Sequence, residues 1–304
     1  MNEGADPSGR RCGFVALIGA PNAGKSTLLN ALVGAKISIV SRKVQTTRSL
    51  VRGVAIKGVA QIIFVDTPGI FAPRRRLDRA MVASAWSGAK DADVVALLID
   101  SRKGVDEEVA TILASLPSAA AARVLVLNKV DLVARPKLLE LAAELNARTA
   151  FAETFMISAL TGDGIAHLKE RLAALMPAGP WLYPEDQISD APVRALAAEI
   201  TREKIFDRLH DELPYHTTVE TQSWTDLKDG SARIEQTIYV TREAHRKIVL
   251  GEKGRTIKAI GMAARREIEA AADQKIHLFL FVKVRDWPDD PEHYRVMGLE
   301  FPRE

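Results

Sequence analysis

Short apolar runs alternate with amphipathic ones through the first half of the chain. Phe14–Ile18, Ile62–Val65, Val94–Ile99 and Val124–Leu127 are rich in Val and Ile, each is followed by a loop, and Phe155–Ile157 is a weaker run of the same kind. Between them, Leu28–Val33, Lys137–Ala147 and Ile165–Leu175 carry apolar residues at helical spacing. This alternation predicts an α/β fold, a mostly parallel sheet with helices on both faces. Pro177, Gly179 and Pro180 end the last helix and open a linker to about Asp190.

The second half has another rhythm. Val193–Leu209 reads as a helix, and Thr217–Trp224 and Arg233–Val240 as strands joined by the turn Lys228-Asp229-Gly230. Ala244–Leu250 is helical in pattern, Gly251-Glu252-Lys253-Gly254 interrupts it, and Arg255–Ala271 resumes with Ile257, Ile260, Ala264 and Ile268 on one face. Lys275–Val284 closes as a strand. The order helix, strand, strand, helix, helix, strand describes a separate α+β domain. The expected division is a disordered polar tail over 1–11, a first domain over 12–178, a linker over 179–190 and a second domain over 191–304.

Composition agrees with two soluble domains. The 304 residues are 47% hydrophobic and 27% charged, and no run approaches the ~18 apolar residues of a membrane span. Met1–Arg11 lacks the apolar middle of a signal peptide. Cys12 is the only cysteine, which excludes an intramolecular disulfide and a cysteine metal cluster and points to a reducing, cytosolic compartment. Net charge is only +3, but Arg242, Arg246, Lys247, Lys253, Arg255, Lys258, Arg265 and Arg266 face only Glu243 and Glu252 within the same stretch. Such a local excess favours an anionic partner.

The chemistry is most specific at Gly19-Ala20-Pro21-Asn22-Ala23-Gly24-Lys25-Ser26, which fits G-x-x-x-x-G-K-[ST] between a predicted strand and a predicted helix. Glycines let backbone N–H groups converge on a phosphate, and the helix N-terminus, which Thr27 continues, adds its positive end. Lys25 supplies a point charge and the Ser26 hydroxyl a Mg²⁺ ligand. Asp66-Thr67-Pro68-Gly69 follows another strand; there Asp66 can hold Mg²⁺ through water and the Gly69 N–H can meet a γ-phosphate. Asn128-Lys129-Val130-Asp131 lies at the end of Val124–Leu127, the side where open parallel sheets bind ligands. The Asp131 carboxylate can accept from both the ring N–H and the exocyclic amine of guanine, a donor pair that adenine lacks. Ser158-Ala159, after Phe155–Ile157, could offer backbone N–H groups to the guanine carbonyl.

This ordered set resembles the translation-factor class of small GTPases. Gln45-Thr46-Thr47-Arg48 is similar to the switch loop of the Era group, where a threonine ligates Mg²⁺ when the γ-phosphate is present. Thr46 and Thr47 both remain open for that role; Thr47, directly before Arg48, is favoured. Asn22 matches a position that helps hold K⁺ in related K⁺-stimulated GTPases, so Asn22, Lys25 and Thr47 are the candidate catalytic residues. Ile70 stands where many GTPases place a water-orienting Gln, and slow turnover is expected.

Gly251-Glu252-Lys253-Gly254 with Arg255 and Lys258 is similar to the G-x-x-G loop of a KH domain. There the backbone approaches a nucleic-acid strand and bases lie in an adjacent apolar groove. A P-loop GTPase domain followed by an α+β type II KH domain resembles the Era family, as do the stretches Tyr183–Asp190, Glu212-Leu213-Pro214-Tyr215 and His277–Val284. The resemblance implies GTP/GDP and Mg²⁺ as cofactors, K⁺ as a further candidate, and the 3′ end of 16S rRNA and the 30S subunit as partners of a monomer. Peripheral association with the inner membrane is left open, no anchor being legible. A GTP-gated RNA-binding module with negligible hydrolysis, and a GTPase of tRNA modification or of the membrane, stand as alternatives.

Overall fold

Five apolar runs become strands of a six-stranded sheet. The computed structural model describes residues 9–41, 43, 46–116, 122–209 and 213–302; most of the expected polar tail, with Gln45 and Glu212, lies outside them. Contacts divide the chain into two units, one of Met1–Ser38, Thr47–Asp190 and Met297–Glu304, the other of Ile39–Thr46 and Ala191–Val296.

The first unit runs β1 (Arg11–Ile18), α1 (Lys25–Val33), β2 (Val51–Lys57), β3 (Ala60–Asp66), α2 (Arg76–Lys90), β4 (Val94–Asp100), α3 (Glu107–Ser115), β5 (Ala122–Asn128), α4 (Arg135–Arg148), β6 (Glu153–Met156) and α5 (Ile165–Leu175). Strand order is β2-β3-β1-β4-β5-β6, parallel throughout except for β2 against β3. Every residue of β3 and β4 is buried, because both faces of the sheet are covered. Alternate side chains feed two cores. Leu17 and Leu98 join Leu28 of α1 and Leu168 of α5, while Ile18 and Leu97 join Ala85 of α2, Ile112 of α3 and Leu145 of α4. Each fully buried Leu or Ile contributes roughly 1.5–3 kcal/mol. Because β1, β3, β5 and β6 run parallel, the loops that carry the motifs all open at the carboxyl end of the sheet.

Four departures from expectation have physical causes. Arg11, assigned to the tail, opens β1, its Nε donating to the Met176 carbonyl at 2.6 Å. The pattern misses α2 because its buried face is built largely of small residues, Ala80, Ala85 and Ala89. It misses β2 because Arg52 and Gly53 break the apolar run. The linker 179–190 groups with the first unit. Buried Gln61 donates to the Tyr183 carbonyl at 2.8 Å and accepts the Leu182 and Tyr183 amides at 2.9 and 3.0 Å, and the Val54 amide reaches Ile188 O at 2.8 Å.

The second unit runs α6 (Val193–Arg208), β7 (Thr217–Asp226), β8 (Ala232–Val240), α7 (Glu243–Leu250), α8 (Arg255–Ala272), β9 (Ile276–Val284) and α9 (Pro291–Val296). The sheet order is β7-β8-β9, antiparallel then parallel. Ile200 and Ile205 of α6 and Ile260 and Ile268 of α8 pack on Ile234 and Ile238 of β8. Within this unit the Val40 amide donates to a Glu203 carboxylate oxygen at 2.7 Å. Arg202, 1% exposed, donates to the Thr46 carbonyl at 2.5 Å.

Candidate functional site

The phosphate loop connects β1 to α1. Gly24 has φ 101° in the left-handed region, and a Cβ there would lie 2.3 Å from Asn128 Nδ2; only glycine satisfies both conditions. The same Asn128 amide donates to the Ala23 carbonyl at 2.9 Å, while its Oδ1 accepts the Lys129 amide at 2.8 Å and the Ala159 amide at 2.9 Å. One buried side chain thus joins Gly19–Ser26, Asn128–Asp131 and Ser158-Ala159, three motifs far apart in sequence. The Ser158 amide is donated to Asp163 O at 3.0 Å. Both N–H groups considered for the guanine carbonyl are engaged within the protein, that of Ala159 by Asn128 and that of Ser158 by Asp163.

Lys25 is 6% exposed, and its Nζ donates to the carbonyls of Gly19 and Ala20, each at 3.0 Å. Burial lowers its pKa to about 8, against the opposing pull of Asp66 and Glu108. Ser26 Oγ donates to Asp66 Oδ2 at 2.6 Å and lies 2.9 Å from Thr47 Oγ1, which is 3.4 Å from the same Asp66 oxygen. Thr46 faces elsewhere, its hydroxyl donating to Lys43 O at 2.9 Å. Asp66 is fully buried and its Oδ1 has no hydrogen-bond partner among the described residues. Burial pushes its carboxyl pKa up, with Ser26, Lys25, Ser38 and Thr47 opposing. Two hydroxyl oxygens beside a buried carboxylate with an unused oxygen fit Mg²⁺. Sequence reasoning missed Ser38, whose hydroxyl donates to Asp66 Oδ2 at 2.9 Å; no local motif marks it.

Thr67 Oγ1 donates to Leu17 O at 2.8 Å, fixing the start of Asp66–Gly69 on β1. The Ile70 amide donates to Gly19 O at 3.1 Å, and its side chain, 4% exposed, joins the core beside α2. Lys129 has φ 64° and turns the chain into a short 3-10 turn, Val130–Leu132, that leaves Asp131 exposed at the rim. Lys129 Nζ donates to Asn22 O at 2.6 Å and to Asp100 Oδ2 at 2.7 Å. Asp100, at the end of β4, also went unnoticed in the sequence. Burial alone would raise its carboxyl pKa, but Arg102 and Lys129 hold it down at about 2.

In the second unit Gly251 closes α7 at φ 70°, where a Cβ would meet Thr256 Oγ1 at 2.1 Å. The turn Glu252–Gly254 then leads into the N-terminus of α8. Lys253, Arg255 and Lys258 are exposed, and Arg255 is ion-paired with Glu252. Of the apolar stripe expected on α8, Ile260, Ala264 and Ile268 are buried. Ile257 instead lines a groove of about 470 Å³ with Lys258, Gly261, Met262, Arg265, Leu278 and Leu280. Its walls are α8 and β9, with basic side chains from α8 among its lining.

Comparisons with known proteins match two separate stretches of the chain. Residues 14–129 match the family described as 50S ribosome-binding GTPase, and residues 212–287 match the KH domain. GTPase Era of Afipia carboxidovorans is 66% identical over 97% of this chain and 96% of its own length. GTPase Era of Bradyrhizobium diazoefficiens is 64% identical over 99% and 98%. A crystal structure of Era in complex with MgGDPNP and nucleotides 1506–1542 of 16S ribosomal RNA matches with TM-score 0.90 at 37% identity, over 95% of this chain and 99% of that one. A variant of Aquifex aeolicus Era bound to GDP and AlF4⁻ matches with the same TM-score, identity and coverage. With such identity sustained over nearly the whole length of both partners, this chain belongs to the Era family of GTPases.

Proposed function

We propose that the chain binds GTP with Mg²⁺, hydrolyses it slowly, and holds the single-stranded 3′ end of 16S rRNA in the groove beside Gly251–Gly254 during assembly of the 30S subunit. The observation that carries this reading is the joining of two devices in one chain. One is a guanine-nucleotide loop set locked by Asn128. The other is a basic, apolar-floored groove of about 470 Å³ next to a glycine-bounded helix start.

In this reading the amides of Gly19–Ser26 wrap the β-phosphate, Lys25 neutralises the outer phosphates, and Asp131 accepts from the guanine edge. Ser26, Thr47 and Asp66 hold Mg²⁺, which when bound supplies charge neutralisation across the β- and γ-oxygens. The Thr47 assignment rests on its 2.9 Å approach to Ser26 Oγ. Asn22, within the phosphate loop, serves as a K⁺ ligand. Gly251, Glu252, Lys253, Gly254, Arg255 and Lys258 form the RNA edge. There the amides at the start of α8 and the Lys and Arg charges meet phosphates while bases enter the groove.

Slow turnover follows from Ile70, whose buried apolar side chain offers no hydrogen bond to an attacking water. The same residue favours the second reading, an RNA-binding module in which nucleotide is only a ligand. No described helix is long and apolar enough to cross a membrane, and the reading requires none.

The deciding experiment is crosslinking of the GTP-loaded protein to ribosomal RNA, mapped on both sides, together with single-turnover hydrolysis with and without a 16S 3′-end oligonucleotide. Crosslinks between the RNA 3′ end and α8 or β9, with measurable hydrolysis, are expected. Crosslinks confined to another surface would overturn the RNA assignment, and hydrolysis at the uncatalysed rate would leave the nucleotide as a ligand alone.

A further inference from the structure

Asp100 stands just outside every motif used so far, yet it is 5% exposed and carries a charge. A carboxylate is kept buried only when its partners compensate for lost hydration. Here the compensation is specific. Oδ2 accepts from Lys129 Nζ at 2.7 Å and from Arg102 at 2.7 Å, and Oδ1 accepts from Arg102 Nε and from the Arg102 amide, each at 3.1 Å. Lys129 Nζ continues to the Asn22 carbonyl at 2.6 Å. An unbroken chain of contacts therefore runs from the end of β4, through the guanine loop, to the phosphate loop. Arg102 also lies close enough to Asp131 for that carboxylate to stabilise its charge.

We propose that Asp100 is a positioning residue for the nucleotide site, one that holds the Lys129 side chain in place between the guanine loop and Asn22 and thereby slows nucleotide release. The proposal rests on the assignment of Asn128–Asp131 and Gly19–Ser26 as the GTP site. Lys129 has a flexible four-carbon stem ending in a compact charge. Tied at Nζ to both Asp100 and Asn22, that stem is held in one arrangement before nucleotide arrives, which lowers the ordering cost of binding. Asp100 acts through Lys129 of the guanine loop, which GDP and GTP would meet alike, so its influence falls on affinity for both nucleotides and not on the chemical step.

The alternative is a purely structural role, since Asp100 caps its own turn through the Arg102 amide, with Lys103 and Gly104 amides on its carbonyl. Asp100→Asn separates the two. The asparagine carbonyl oxygen can still accept the Arg102 amide, but the charge that anchors Lys129 is gone.

The test is release of fluorescent GDP and GTP from wild type, D100N, K129M and D100N/K129M, with kcat at saturating GTP and thermal melts alongside. D100N is expected to release both nucleotides roughly 10- to 100-fold faster, the size of a lost charge-assisted hydrogen bond, with kcat within twofold of wild type. The double variant should release no faster than K129M. D100E, which retains the charge, should recover part of the retention. Wild-type release rates in a folded D100N, or effects of the two substitutions that multiply in the double variant, would overturn the proposal. Failure of the wild type itself to bind GTP would instead remove the nucleotide-site assignment beneath it.

Discussion

The Ser26 hydroxyl donates to Asp66 Oδ2 at 2.6 Å across 40 positions of sequence. The first residue of this pair closes the phosphate loop and the second ends β3, and Thr47 stands 2.9 Å from the same hydroxyl. Ser26→Ala and Asp66→Asn should each lower Mg²⁺-dependent single-turnover hydrolysis by more than tenfold, since each removes an oxygen ligand or its charge. GDP binding without Mg²⁺ should change far less. Equal losses with and without the metal would show that the pair serves the loop and not the ion.

Asp131 lies exposed at the rim of the site, where its carboxylate is free to face a base edge. Asp131→Asn should weaken GTP binding roughly 100-fold or more, because the amide no longer presents two acceptors to the guanine donors. Xanthosine triphosphate carries a carbonyl in place of the exocyclic amine and should bind the variant better than GTP. Competition between the two nucleotides measures this directly, and retained GTP preference in the variant would move base recognition elsewhere.

Lys253 and Lys258 are exposed around the start of α8. Replacing both by Glu should reduce RNA affinity and lower the slope of log affinity against log salt by about 1.4, the value for two single-strand phosphate contacts. Nucleotide binding should be unaffected. Gly251→Ala, whose Cβ would meet Thr256 Oγ1 at 2.1 Å, should lose RNA binding through distortion of the turn. A salt slope unchanged in the double Glu variant would place the phosphates on another surface.

Asp100 titrates at about 2 in place of its ordinary 3.8. A depressed carboxyl pKa contributes stability that is complete above the unfolded value and lost as pH falls through the folded one. The difference in stability between wild type and D100N should therefore be constant above about pH 5. It should shrink by up to about 2 kcal/mol between pH 4 and pH 2. Urea melts over that range provide the measurement; a pH-independent difference would mean that the ion pairs contribute nothing to folding.

Asn22, at φ 63°, sits on the phosphate loop with its carbonyl taken by Lys129. If it helps hold K⁺, single-turnover hydrolysis should be several-fold faster in KCl than in NaCl at equal ionic strength, and Asn22→Ala should remove the difference. Equal rates in the two salts for wild type would withdraw that role.

What could be read in the sequence followed the range of the physics involved. Gly19–Ser26 and Gly251–Gly254 are local devices, complete within a single turn, so spacing alone exposed them. Val94–Ile99 was legible because a strand buried on both faces must be apolar throughout. The helix α2 was not, since its core face is made largely of alanines that carry little contrast. Between adjacent Thr46 and Thr47 the sequence favoured Thr47 only by its place before Arg48; the fold turns one hydroxyl to Ser26 and the other to Lys43 O. Asp100 was invisible for the same reason, its partner Lys129 lying 29 positions away.

The unit boundaries at Ser38/Ile39, Thr46/Thr47, Asp190/Ala191 and Val296/Met297 bear on any attempt to cut the molecule. A fragment beginning at Ala191 would keep the whole sheet β7-β8-β9 but leave behind Ile39–Thr46. Arg202 and Glu203, 1% and 3% exposed in the intact chain, would then lose the Thr46 carbonyl and the Val40 amide they engage. The KH half is a domain by sequence but a mosaic in the fold, and a faithful excised version would have to be sewn from two pieces of the gene.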